Sequence, residues 1–188
     1  MGVKDPRLWL AAAVLWGCAE ATFFFIVPDV LLTAAVLVFG LSRAFRFAVV
    51  AAIAAALGGL FMMRWGAQDA ESARTFLLSV PLIGDDLITR VQAENNGAWP
   101  VNLTLGAVTG APYKIYAVEA GAAGINAALF AIVSFIARLL RFSLAIGLAA
   151  GGFALARRFG LQRLNAAGLA FAWSLIYAAY FAIRSGVH

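Results

Sequence analysis

The chain has 188 residues, 64% of them hydrophobic and 12% charged, with a net charge of +5 and a mean hydropathy of +0.92. A soluble domain carries about 25% charged residues, so this chain lacks the polar groups to cover itself and is expected to use the bilayer as its solvent. One cysteine and one histidine (His188) exclude a disulfide framework, a thiolate metal cluster and imidazole-based catalysis.

The N-terminal apolar stretch, Leu8–Ser42, holds only two charges, Glu20 and Asp29, with Pro28 beside the second. As one helix it exceeds the roughly 20 residues that a ~30 Å hydrocarbon core needs. It must therefore break, and Pro28 followed by Asp29 suits the first turn and positive end of a new helix. Two arms are expected, Leu8–Val27 and Pro28–Ser42. Basic residues flank both outer ends (Lys4 and Arg7, then Arg43 and Arg46), as on a cytoplasmic side. The uncharged part of the second arm is short for a crossing, so a re-entrant hairpin over 8–42 is preferred, with a spanning pair as the alternative. Leu15-Trp16-Gly17-Cys18 superficially resembles a lipoprotein cleavage site, but bulky Trp16 and the apolar run after it favour a small packed thiol at Cys18.

A transmembrane helix is expected over 47–64: Phe47–Met63 is just long enough to cross, Gly58-Gly59 would admit a neighbouring backbone, and Arg64 closes it. Residues 67–97 set Asp69, Glu71, Asp85, Asp86 and Glu94 against Arg74 and Arg90, an acidic balance that marks the extracytoplasmic face. Phe76-Leu77-Leu78 within it suggests a helix along the interface. Ala98–Ala111 is too short to span and runs into Pro112, so 98–124 reads as a second re-entrant hairpin, entering from the opposite side. The glycosylation sequon at Asn102 falls inside it and is a chance match. The long run over 125–156, about 48 Å at ~1.5 Å per residue, ends at Arg157, Arg158 and Arg163 and should finish in the cytoplasm. Its excess length implies tilt or a kink near Gly151-Gly152, a pair that otherwise marks close helix packing. A last span, 164–184, carries Trp173, Tyr177 and Tyr180 as packing or belt aromatics.

The expected fold is thus an all-α polytopic membrane domain of residues 1–188. It comprises two oppositely oriented re-entrant helical hairpins, each followed by a transmembrane helix, plus a C-terminal transmembrane helix. Inverted repeats whose broken helices meet near the midplane are how many transporters build a binding site. The basic residues form no face that could follow a phosphate backbone, which argues against nucleic acid.

Charges at membrane depth cost roughly 2.5–3.5 kcal/mol each on insertion scales unless they face protein or water. Glu20, Asp29, Lys114, Glu119, Arg138 and Arg141 are the candidates here. Arg138 and Arg141, three apart, share a helix face; with Lys114 they suit a phosphate headgroup, because guanidinium forks match phosphate oxygens. Tyr113 and Tyr116 offer hydroxyls to the same headgroup or pack as aromatics. Glu20, Asp29 or Glu119 would couple release to protonation, and Pro28 and Pro112 mark the hairpin tips. Lys114 and Glu119, five apart, are poor partners, so each should look across to another element. The bland alternative is that these charges pair to lock the hairpins against the long helix. No metal site, cofactor or catalytic constellation is expected, so the chain reads as a non-enzyme.

The stretch from Glu20 to Pro28-Asp29, the Gly-rich helix closing at Arg64 and Gly66, and TGAPYKIYAVEAG (109–121) followed by FIARLLRF (135–142) together resemble the DedA superfamily. This is the set related to the SNARE-associated Golgi or VTT-domain proteins, and the closest likeness is to its small YqaA-like bacterial branch. The resemblance covers about residues 15–150 and rests on the order and spacing of the motifs. It implies two opposed re-entrant hairpins, a bacterial inner-membrane location and movement of lipid between leaflets, with undecaprenyl phosphate or a phospholipid as cargo. By position it implies Glu20, Asp29, Arg64, Arg138 and Arg141 as site residues. Two departures matter: Pro112-Tyr113-Lys114 stands where the family's second-hairpin arginine pattern is usual, and Met63 stands where a glycine is usual before the arginine. The expected partners are membrane lipids, an anionic headgroup and protons, with homo-oligomerisation left open. A proton-coupled transporter of a small water-soluble solute and a non-transporting membrane assembly protein are the competing readings.

Overall fold

The computed structural model describes residues 5–94, 98–161 and 165–185; Lys4, Arg163, Leu164 and His188 lie outside them. The described residues form nine α-helices and no strand: α1 (Pro6–Thr22), α2 (Asp29–Phe39), α3 (Leu41–Gln68), α4 (Ala70–Leu78), α5 (Asp85–Glu94), α6 (Trp99–Thr109), α7 (Tyr113–Ala122), α8 (Ala127–Arg158) and α9 (Asn165–Ser185).

The breaks follow local chemistry. Asp5 caps α1 by accepting from the Arg7 amide at 2.9 Å, with Pro6 in the first turn. Proline lacks an N–H and disfavours helical backbone in the residue before it, so α1 cannot run on through Pro28. It stops at Thr22, five residues before the expected end at Val27, and the aromatic run from Phe23 carries the chain to α2. Gly40, at φ 81, separates α2 from α3. The expected second arm therefore ends at Phe39 rather than Ser42, and the crossing helix begins at Leu41 rather than Phe47. Arg43 and Arg46 lie within its first turns rather than in a loop. Gly110, left-handed at φ 88, closes α6, and Pro112 opens α7, where the sequence places the second break.

The helix α3 is the hub. More than half of its most apolar window is buried (56%), against 33% for α8, and it packs chiefly on α1, α8 and α7. Its alanines and glycines permit this. A Cβ on Gly121 of α7 would collide with the Met63 carbonyl of α3, and one on Gly66 of α3 with the Val118 carbonyl of α7. Gly58 likewise lies against Cys18 and Ala21 of α1. Gly151-Gly152, by contrast, faces open space, and α8 continues through it as one helix, so that pair marks no packing contact. Cys18 is exposed, not packed.

The two halves repeat a contact pattern. The first arm of each helix pair packs on the long helix that follows it, α1 on α3 and α6 on α8. The second arm reaches the long helix of the other half, α2 on α8 and α7 on α3. Among the described residues, 70–94 hold two helices, α4 and α5, rather than one; Leu77 is buried and Phe76 packs on Trp65 with ring centroids 5.1 Å apart.

Two helices, α3 and α8, are long and apolar enough to cross a membrane. The exterior agrees with that use: Leu57 and Phe61 of α3, and Ile132, Leu140 and Leu148 of α8, are all exposed.

Candidate functional site: a charged cavity where the helix breaks meet

Both proline breaks open onto one cavity of about 230 Å³. Phe25 and Val27 come from the α1–α2 link, Gly110 to Lys114 from the α6–α7 turn, Arg138 and Arg141 from α8, and Val80 to Ile83 from the α4–α5 link. Glu20 lines it from α1, and α9 supplies the remaining wall.

Arg138 is almost wholly buried. Its Nη2 lies 3.0 Å from Glu20 Oε1 and 2.9 Å from Oε2, and its guanidinium sits over the Tyr113 ring, 4.1 Å from the centroid. Gly59 leaves room for that ring, since a Cβ there would overlap the Tyr113 hydroxyl. One turn on, Arg141 donates from Nε to Asp29 Oδ2 at 3.0 Å, so the acid beside Pro28 meets the arginine pair directly. Arg138 Nε and Asp29 Oδ1 are buried and have no hydrogen-bond partner among the described residues.

Lys114 follows from the first break. In a continuous helix the Phe24 carbonyl would accept from residue 28, but that residue is proline. The freed carbonyl accepts instead from Lys114 Nζ at 2.8 Å, tying one helix break to the other.

The wall from α9 is polar where it meets the body. The Val27 amide donates to the Tyr177 hydroxyl at 2.9 Å, Trp173 Nε1 donates to Thr33 Oγ1 at 3.0 Å, and the Tyr180 hydroxyl donates to the Gly110 carbonyl at 3.3 Å. Tyr177 and Tyr180 thus each bind one break, and Trp173 binds α2. By sequence the three read only as packing or belt aromatics, although their spacing of four and three is that of one helix face.

Three expected site residues stand elsewhere. Glu119 is buried but lines no part of the cavity; Arg74 of α4 grips it with two bonds of 2.8 and 2.7 Å. Arg74 was not among the expected site residues, and only the contact identifies it. Tyr116 donates to Glu94 of α5 at 2.7 Å and so belongs to the same outer cluster. Burial pushes the Glu94 carboxyl up, but the bonds from Tyr116 and Arg90 and the Arg90 charge outweigh it, leaving the group below the usual carboxylate range. Arg64 is exposed and lines no part of the cavity. The remaining candidates, Glu20, Asp29, Tyr113, Lys114, Arg138 and Arg141, with Pro112 in the lining and Pro28 buried beneath it, are brought together.

The arrangement can hold a polar, charged group inside an apolar exterior, with two compensated ion pairs and a third cation around it. No protein-family model, curated protein or solved structure matches the chain.

Proposed function

We propose that the chain is a bilayer-embedded translocase for the headgroup of an anionic lipid, of the DedA or VTT kind that its sequence resembles. In this reading α1–α2 and α6–α7 are re-entrant pairs entering from opposite faces of a bacterial inner membrane, and α3, α8 and α9 cross it. One observation carries the reading: the two helix breaks converge on a cavity lined by Glu20, Lys114, Arg138 and Arg141, inside an apolar helical exterior. Ionisable groups at membrane depth are costly even when paired, and their convergence on one cavity supports a polar guest there.

The headgroup enters against Lys114 and the arginine face while its tail stays in lipid. Once the headgroup has bound at Lys114 with both ion pairs intact, a proton on Glu20 or Asp29 frees the paired arginine to draw the phosphate on, and loss of that proton restores the ion pair and expels the headgroup. Glu119, held by Arg74 away from the cavity, takes no part in that cycle and serves to fasten α4 to α7.

The test is leaflet exchange of fluorescent phosphatidylglycerol and of polyprenyl phosphate in proteoliposomes. Exchange should require the protein and should vanish in Glu20→Gln and Arg138→Gln variants that still fold. Exchange of neither lipid above empty vesicles, with uptake of a soluble anion instead, would assign the cavity to solute transport. Neither activity would leave the charges a purely structural role.

A further inference from the structure

We infer that Lys114 sets the charge class of the guest, and that the cavity is built for a head bearing one negative charge, such as a phosphodiester, rather than a dianionic monoester or a zwitterion. This rests on the reading of the cavity as a headgroup site. The ion pairs divide its charges unequally. Arg138 is matched by Glu20 and Arg141 by Asp29, each at 3.0 Å or less, so those four groups sum to zero. Lys114 is the cavity's remaining cation; among the described residues it has no carboxylate within ion-pair distance, and it is 2% exposed. Among the described residues its ammonium makes one hydrogen bond, to the neutral Phe24 carbonyl. An ammonium has three donors, so two are left for a guest.

Apart from Lys114 and the paired Glu20, Arg138 and Arg141, the described lining of the cavity carries no charge. Tyr113, Tyr177 and Tyr180 are neutral phenols, Trp173 and Phe25 carry no charge, and the α4–α5 link contributes only Val80, Pro81, Leu82 and Ile83. A monoanion brings the cavity to neutrality with both ion pairs intact. A second negative charge would have to take Arg138 or Arg141 from its carboxylate, leaving a buried anion uncompensated. A zwitterion would leave the ammonium uncompensated. Lysine also accepts this task without a bidentate demand, since it is a point charge where arginine is a fork.

The experiment measures binding in nanodiscs at pH 7 for four probes: phosphatidylglycerol, phosphatidylcholine, a polyprenyl monophosphate (mostly dianionic there) and soluble dimethyl phosphate. Wild type should hold phosphatidylglycerol about tenfold more tightly than either other lipid, the equivalent of one well-placed charge contact. Lys114→Met should erase that preference, and Lys114→Arg should keep most of it. Equal binding of the monophosphate and phosphatidylglycerol, or a preference unchanged in Lys114→Met, overturns the assignment. Dimethyl phosphate binding as tightly as phosphatidylglycerol would place the source of the monoanion in water rather than in lipid. Because binding is read without transport, a charge preference in a protein that exchanges no lipid would uphold Lys114 and sink the translocase alone. Loss of all exchange in a protein with no charge preference would sink both.

Discussion

The Glu20–Arg138 pair allows the sharpest stability test. Both side chains are nearly sealed from solvent, at 7% and 2% exposure. Removing one partner of such a pair leaves an uncompensated buried charge and costs about 3–5 kcal/mol, whereas replacing both by apolar groups is often neutral. Arg138 also stacks on Tyr113, which adds about 0.5–2 kcal/mol lost with any neutral replacement. Glu20→Gln should therefore cost about 3–5 kcal/mol and Arg138→Met about 1 kcal/mol more, for the lost stack. The double variant Glu20→Leu/Arg138→Met should cost only the stack, about 1 kcal/mol. Thermal unfolding of purified protein, followed by tryptophan fluorescence, would read each single change as a fall on the order of 10 °C, with most of it recovered in the double variant. If the double variant loses the sum of the two single losses, the groups are not coupled and the ion-pair account of this site fails. Recovered stability with lost lipid exchange would separate the fold's need for the pair from the site's need for its charges.

Three further outcomes follow from the same geometry. Gly121→Ala puts a methyl group into the Met63 carbonyl and should destabilise by about 1–3 kcal/mol or more; Gly147→Ala, on an open face of α8, should be neutral or stabilising by up to about 1 kcal/mol. Equal effects in thermal unfolding would refute the close α3–α7 approach. Tyr177→Phe removes the acceptor of the Val27 amide, so hydrogen exchange at Val27 should rise severalfold while exchange in the α3 core stays unchanged; protection retained at Val27 would mean that α9 is not fastened there. The Glu94 carboxyl is held below its unfolded value of 4.5. Its pairing therefore stabilises fully above that value and is lost as pH falls through the lower folded one. Tyr116→Phe should cost about 1 kcal/mol near pH 7 and flatten the loss of stability below about pH 4.5; a parallel pH profile in the two proteins would show that the Tyr116 bond contributes nothing to it.

Some of this protein was written in local sequence. Composition alone demanded an apolar exterior, and the two prolines broke the helices at 23–28 and 110–112 because a missing N–H and a ring clash act on a few neighbouring residues in any context. The helical spacing of Arg138 and Arg141 put them on one face before any partner was known. Element ends were less legible: α1 stops at Thr22 and α3 starts at Leu41, because tertiary packing and the Gly40 turn decide where a helix of uniformly apolar residues ends.

Pairing was decided only in three dimensions. Glu119 and Glu20 look alike in sequence, each an acid in an apolar run, yet one meets Arg74 outside the cavity and the other meets Arg138 within it. Nothing within a few residues of either distinguishes them, since their partners lie 45 and 118 positions away. Lys114 shows both levels at once: Pro28 frees the Phe24 carbonyl through local backbone chemistry, but a lysine 90 residues on finds it only because α7 packs against α1 and α3. Covalent geometry and composition act through near neighbours and the solvent, so the sequence displays them directly. Charge compensation depends on which distant helices touch, and only the folded arrangement determines that.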